Sequence, residues 1–242
     1  MLDPRESIIN RRLEGVKRII AVSSGKGGVG KSLVASILAL TLARKNFKVG
    51  LFDADFTSPS THLILGVKDV KPKEEKGIIP AYVHCLKYVS IIAYSKEKAL
   101  PLRGTDVSNA LVELFAATVW GDLDFLIVDM PPGISDATLD LIRLVKGINF
   151  LIVTTPSPLA FETVKKLLGL LAELKVPVVG VVENMKIRES DFIMQSVSDA
   201  GFRFLGELPF DPKVEDSLGD VDTLLKTDFA RKLAEIASKI SL

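Results

Sequence analysis

"RIIAVSSGKGGVGKSLVASILALTLARK", residues 18–45, decides how the rest of the chain is read. Its first part, 18–24, is a short apolar run, the pattern of a parallel strand covered on both faces. Its last part, 31–45, has helical character. Between them Gly25, four residues, and then Gly30-Lys31-Ser32 match the spacing of a phosphate-binding P-loop. Glycines at 25, 27, 28 and 30 let consecutive N–H groups turn toward phosphate oxygens. The helix that follows adds its positive N-terminal end. Gly25, Gly27, Gly28, Val29, Gly30, Lys31, Ser32 and Leu33 are therefore the expected nucleotide-binding stretch. Lys31 is expected to reach the β- and γ-phosphates and the Ser32 hydroxyl to bind Mg²⁺, so the implied ligand is Mg-ATP. A second lysine, Lys26, is more than one phosphate cradle needs; by itself it reads as a solvated loop residue.

Outward from this unit the alternation repeats. Runs at 48–54, 88–94, 124–130, 150–156, 176–184 and 202–208 read as strands, and patterns at 108–120, 158–174 and 228–241 as helices. This predicts one doubly wound α/β domain over 1–242, a mostly parallel sheet of about seven strands, with a short lead at 1–17. The charged stretch 67–77, "VKDVKPKEEKG", reads as a solvated connection. With 242 residues, 48% of them apolar and 25% charged, the chain can bury its core without disulfides. A net charge of +1 provides no broad basic field, so no nucleic-acid partner is expected. The single cysteine, Cys85, excludes an intrachain disulfide and reads as a small buried hydrophobe. The first residues lack the apolar core of a secretory signal, and no run reaches the ~18 apolar residues of a membrane span. A cytoplasmic protein without a membrane partner is expected.

In open α/β sheets the ligand sits beyond the carboxyl ends of the strands, and the suspicious residues collect there. Asp129 closes "FLIVD" and is expected in the Mg²⁺ shell. The stiff "PPG" turn, 131–133, follows it, and the Gly133 N–H is expected to sense a γ-phosphate. Asp53 and Asp55 lie in "LFDADFTSPS". If the strand continues that far, the pleat points them apart, one to the metal shell and one to the attacking water. Helix capping ahead of Ser60 is the alternative. Asn184 ends the sixth strand, where an amide offers a donor and an acceptor to a base, or caps a turn.

The string "KGGVGKS" resembles the deviant Walker-A ATPases, the ParA/MinD/nitrogenase-iron-protein group. More of the chain, from "VKRIIAVSSGKGGVGKS" through "VGLFDADFTSPSTHLILG", "LRGTDVSNAL", "WGDLDFLIVDMPPGISDATL" and "VTTPSPLAFETVKK" to "VPVVGVVENM" and "FLGELPFDPKV", resembles the Mrp family of iron–sulfur cluster carrier ATPases. The resemblance implies a MinD-like P-loop fold and a homodimer with ATP at its interface. It implies a slow hydrolysis that switches conformation on behalf of an apoprotein or cluster-assembly client. Lys26 would then reach the partner's nucleotide, as an arginine finger does. Lys26, Lys31 and Asp55 become the catalytic set, with Asp55 positioning the water. Ser32, Asp53 and Asp129 become the metal set. Asn184 and the backbone around Pro209 would hold adenine.

The family also implies an iron–sulfur cluster on a C-x-x-C just after "ENM". Here that place reads "KIRESDFIMQSVSDAG", with no cysteine. Thiolates are the usual cluster ligands, so no stable cluster is expected on this chain. Ser58 stands where the family has glycine. Phe192, Ile193, Met194 and Val197 form an apolar stripe that faces either the core or a partner. Two other classes of function fit the motifs. One is a ParA/MinD-type positioning ATPase, which on a membrane would need an exposed amphipathic helix such as "FARKLAEIASKI" (Phe229, Leu233, Ile236, Ile240). The other is a slow nucleotide-dependent regulator acting through a partner.

Overall fold

The computed structural model describes residues 3–68, 71–95 and 104–240. Ten strands follow in chain order: β1 Val16–Ser24, β2 Val49–Asp53, β3 Lys73–Glu74, β4 Ile78–Ile79, β5 Ala81–Val83, β6 Leu86–Ser90, β7 Leu123–Asp129, β8 Ile148–Thr154, β9 Val178–Lys186 and β10 Phe204–Pro209. The helices are α1 Pro4–Arg12, α2 Lys31–Arg44, α3 Thr61–Ile64, α4 Ile92–Ser95, α5 Gly104–Ala117, α6 Asp136–Leu144, α7 Pro158–Glu173, α8 Phe192–Asp199, α9 Lys213–Asp216, α10 Val221–Leu224 and α11 Asp228–Ile240.

Eight strands form one sheet in the order β10-β9-β8-β1-β7-β2-β6-β5. All its pairings are parallel except β5 with β6. The continuous apolar runs are explained by burial on both faces. In β1, Ile19 and Ala21 enter one core layer while Ile20 and Val22 enter the other. In β7, Leu126 and Val128 divide from Phe125 and Ile127 in the same way. Helices α1, α5, α6, α7 and α8 supply the first layer, and α2, α3, α10 and α11 the second. Phe229, Leu233, Ile236 and Ile240 of α11 are all buried in that second layer, so the amphipathic face of this helix is docked on the sheet.

Several expectations are corrected. The sheet has eight strands because the chain turns back at His84-Cys85 to add the short antiparallel β5. Both turn residues have positive φ, 47° and 66°, as a two-residue hairpin of matching twist requires. Cys85 is consequently exposed at a hairpin tip rather than buried. The run at 88–94 is strand only to Ser90, after which α4 begins. The lead contains a helix, α1, capped by the Asp3 carboxylate and packed on α5 and α6 through Ile9. Within 67–77 the residues Lys73–Glu74 pair with β4 as a small ribbon; Asp69 and Val70 lie outside the described residues. So does Arg103 of the "LRGTDVSNAL" segment. In α8, Ile193 and Val197 face the core, whereas Phe192 and Met194 are exposed.

Candidate functional site

The carboxyl ends of β1, β2 and β7 lie side by side, since β7 pairs with both β1 and β2. The loop leaving β1 runs from Gly25 to Gly30 and opens α2 at Lys31. Two glycines are required by their surroundings. A Cβ on Gly25 would sit 2.3 Å from Thr163 Oγ1 and 2.6 Å from the α7 backbone. Gly30 has φ +79°, and a Cβ there would lie 2.2 Å from Asn184 Nδ2. The loop is thus pressed against α7 on one side and β9 on the other. Its tip is open, and Lys26 there is exposed.

Lys31 is 6% exposed and its ammonium is held between acids. Nζ is 2.6 Å from Asp129 Oδ1 and 3.9 Å from Asp55 Oδ2. Asp129 also accepts from the Ser32 hydroxyl. Its second oxygen, Oδ2, is buried with no hydrogen-bond partner. Burial pushes the Asp129 carboxyl up, against the pull of Lys31. An orphaned carboxylate oxygen beside a hydroxyl is the donor chemistry of a hard divalent cation, so Ser32 and Asp129 fit Mg²⁺. Among the described residues no three His, Cys, Asp or Glu side chains cluster as a metal site; such an ion would lean on water and phosphate, as Mg²⁺ does.

The two acids of "DAD" have different tasks. Strand β2 stops at Asp53, so pleat alternation does not reach Asp55. Asp53 is wholly buried. Its Oδ2 accepts from Thr61 N at 3.2 Å and Thr61 Oγ1 at 2.6 Å, and its Oδ1 from Asp55 N at 3.2 Å. The carboxylate therefore ties down the start of α3, where Ser60 makes no side-chain cap. Burial first, and then the Asp129 carboxylate paired in register beside it, push Asp53 up to about 7. Asp55 opens to the cleft. Its Oδ1 accepts from Thr57 Oγ1 at 2.7 Å and Ser58 N at 3.2 Å, which leaves Oδ2 toward Lys31.

The cleft over the loop has a volume of about 470 Å³. Ser24, Lys26, Lys31, Ser32, Asp55 and Ser60 line its polar part, while Met185, Val214 and Leu218 line an apolar part. These last three were not singled out in the sequence. The sign available in the sequence was position alone: Met185 directly follows Asn184. Asn184 itself is buried beneath the loop, with Nδ2 donating to Val29 O at 2.8 Å and Oδ1 accepting from Met185 N at 2.8 Å. Pro209 lines a different cleft, of about 370 Å³, with Lys186, Glu207 and Arg231. The reason is that β10 is the edge strand, one place beyond β9. The Gly133 N–H, expected to face a γ-phosphate, donates to Ser24 O at 2.9 Å because the PPG turn folds back on β1.

A family model described as ParA: NUBPL iron-transfer P-loop NTPase matches residues 15–241. The chain belongs to that family. An iron-sulfur cluster carrier protein of Aquifex aeolicus is 39% identical over 222 residues, covering 85% of this chain and 61% of the relative. The Escherichia coli (strain K12) iron-sulfur cluster carrier protein is 42% identical over 178 residues, covering 72% of this chain and 48% of the relative. The chain thus spans only part of the length of the carriers it matches. Among solved structures, a nucleotide-binding protein of Archaeoglobus fulgidus in complex with ADP superposes with a TM-score of 0.76 at 30% identity, covering 91% and 93% of the two chains. The septum site-determining protein MinD of Pyrococcus horikoshii shares the fold, with a TM-score of 0.69 at 23% identity over 92% and 95% of the chains. The resemblance to Mrp carriers and to the MinD-like fold is borne out at both levels.

Proposed function

We propose that this P-loop NTPase binds Mg-ATP, hydrolyses it slowly, and works as a homodimer that switches conformation in the service of iron–sulfur protein assembly. The observation that carries the reading is Lys31, buried at the loop's base with Asp129 at 2.6 Å and Asp55 at 3.9 Å. A lysine so placed exchanges a carboxylate for phosphate oxygens when nucleotide enters, and its release lets Ser32 and Asp129 turn to the metal. Mg²⁺ neutralises charge on the β- and γ-phosphates when bound. Asp55, fixed through one oxygen by Thr57 and Ser58, keeps the other for orienting the attacking water. Lys26, exposed at the loop tip and on the rim of the cleft, suits a role on a second copy's nucleotide. Met185, Val214 and Leu218 provide the apolar surface for the base.

Iron–sulfur material is cargo in this reading. Cys85 precedes β6 at the amino edge of the sheet, whereas the loop lies at the carboxyl edge. Two copies facing each other across the nucleotide therefore do not bring their cysteines together, and any cluster is held by the client. The docked face of α11 speaks against a membrane-positioning role through that helix. Among the described residues no helix is long and apolar enough to cross a membrane. The test is calorimetry with Mg-ATP followed by phosphate release. Lys31→Ala should lose measurable ATP affinity, and Asp55→Asn should bind ATP but turn it over poorly. Wild-type affinity in the first variant would remove the reading.

A further inference from the structure

We propose that Thr61 and Tyr88 are positioning residues of the hydrolytic site, holding Asp53 and through it the Asp55 turn; this rests on the reading of Asp55 as the water-orienting carboxylate. The observation is a directed chain of hydrogen bonds behind the cleft. Thr61 Oγ1 donates to Asp53 Oδ2 at 2.6 Å and lies 2.8 Å from Tyr88 Oη. A hydroxyl has one proton, so with that proton on Asp53 the Thr61 oxygen accepts from Tyr88. Ser90 in turn hydrogen-bonds the Tyr88 hydroxyl, and Ser90 Oγ accepts from Ile92 N at 3.3 Å. With Asp53 ionised, every proton in the chain points toward its carboxylate.

The topology places these groups together. Tyr88 and Ser90 are two apart on β6, hence on one face, and Ser90 stands in register with Asp53 of the neighbouring β2. Thr61 opens α3 and is wholly buried; Tyr88 is 3% exposed. Water does not replace either hydroxyl at such burial. Asp53 passes the constraint on, because its Oδ1 accepts from Asp55 N at 3.2 Å. The segment from Asp55 to Thr61 is thus pinned at both ends by a single carboxylate, and that carboxylate is held by Thr61, which Tyr88 braces in turn. Neither residue lines the cleft. Their effect on turnover acts entirely through Asp53 and Asp55.

Two isosteric changes test this with the full chain. Thr61→Val keeps the shape and removes the hydroxyl; Thr61→Ser keeps the hydroxyl and removes a methyl. Thr61→Val should lower kcat for ATP about tenfold, the loss of one ordinary hydrogen bond, with KM held within about twofold. Thr61→Ser should stay within about twofold of wild type in both. Tyr88→Phe should lower kcat about threefold, and adding it to Thr61→Val should cost nothing more, since Tyr88 acts through Thr61. Amide exchange provides a reading free of hydrolysis: the Asp55 and Thr61 N–H groups should exchange about tenfold faster in Thr61→Val, with residues 25–32 unchanged. A serine variant as slow as the valine variant, additive losses, or unaltered exchange at Asp55 and Thr61 would overturn the proposal. Should Thr61→Val fail to fold, Tyr88→Phe removes one oxygen only, and unaltered exchange there overturns it equally. A wild-type protein that hydrolyses no ATP would remove the functional reading alone, because the exchange measurement still decides the positioning.

Discussion

Replacing Asn184 by alanine separates two roles for this side chain that the sequence alone leaves joined. In the structure its amide bridges the loop and β9, donating to Val29 O and accepting from Met185 N, both at 2.8 Å. Val29 is 2% exposed, so its carbonyl has no ready substitute in water. Leaving a buried carbonyl unpaired costs about 1–3 kcal/mol. A loss of about 2 kcal/mol lowers the melting midpoint by about 4–8 °C for a chain of this size class. The loop is then held by α7 on one side only, and nucleotide must restore its order. If about half of the loss is repaid on binding, Kd rises about fivefold. Calorimetry with ATP, GTP and inorganic tripolyphosphate distinguishes the mechanisms. An anchor for the loop weakens all three by a similar factor, because the phosphates alone feel it. An adenine reader weakens ATP and leaves tripolyphosphate untouched. Unchanged tripolyphosphate affinity together with weakened ATP would refute the anchoring argument and return Asn184 to the base.

Lys26→Ala should spare nucleotide binding by one chain and slow hydrolysis, because the transition-state charge loses a cation supplied from the other copy. Mixing it with Asp55→Asn should restore activity, since one of the two sites in such a heterodimer is complete; heterodimers that form yet stay inactive argue for action within one chain. Anaerobic reconstitution should leave the isolated protein without a stable cluster; about one cluster per dimer, lost in Cys85→Ala, would be the contrary result. Asp53 carries a pH dependence. Its folded value of about 7 lies above the ordinary carboxylate range, so the folded state keeps a proton that the unfolded state releases from about pH 4 upward. The stability from this group is complete at low pH and is lost as pH rises through about 7. The melting midpoint of ligand-free wild type should therefore fall more between pH 5 and 8 than that of Asp53→Asn, and parallel curves would contradict it.

The fold class, the loop and the acid at the end of β7 were determined by local sequence. Continuous apolar runs have one common explanation, burial on both faces of a parallel sheet, and the glycine spacing around Lys31 encodes backbone geometry directly. Family membership followed from the same stretches. What only the tertiary structure decided concerns contacts between segments far apart in the chain. Cys85 looks like a core residue in "YVHCLKYV", yet the register of β5 on β6 puts it at a hairpin tip. Asp53 and Asp55 are equivalent carboxylates in sequence. One is turned inward because Thr61 at the start of α3 offers it a hydroxyl and an N–H, and the other faces the cleft because β2 has already ended. Asn184 is an amide at a strand end in either reading; that it meets the Val29 carbonyl depends on β9 lying one strand beyond β8, which itself flanks β1. Hydrophobic periodicity reports which face a residue lies on, but hydrogen-bond partners are set by strand order, and strand order is a property of the assembled sheet.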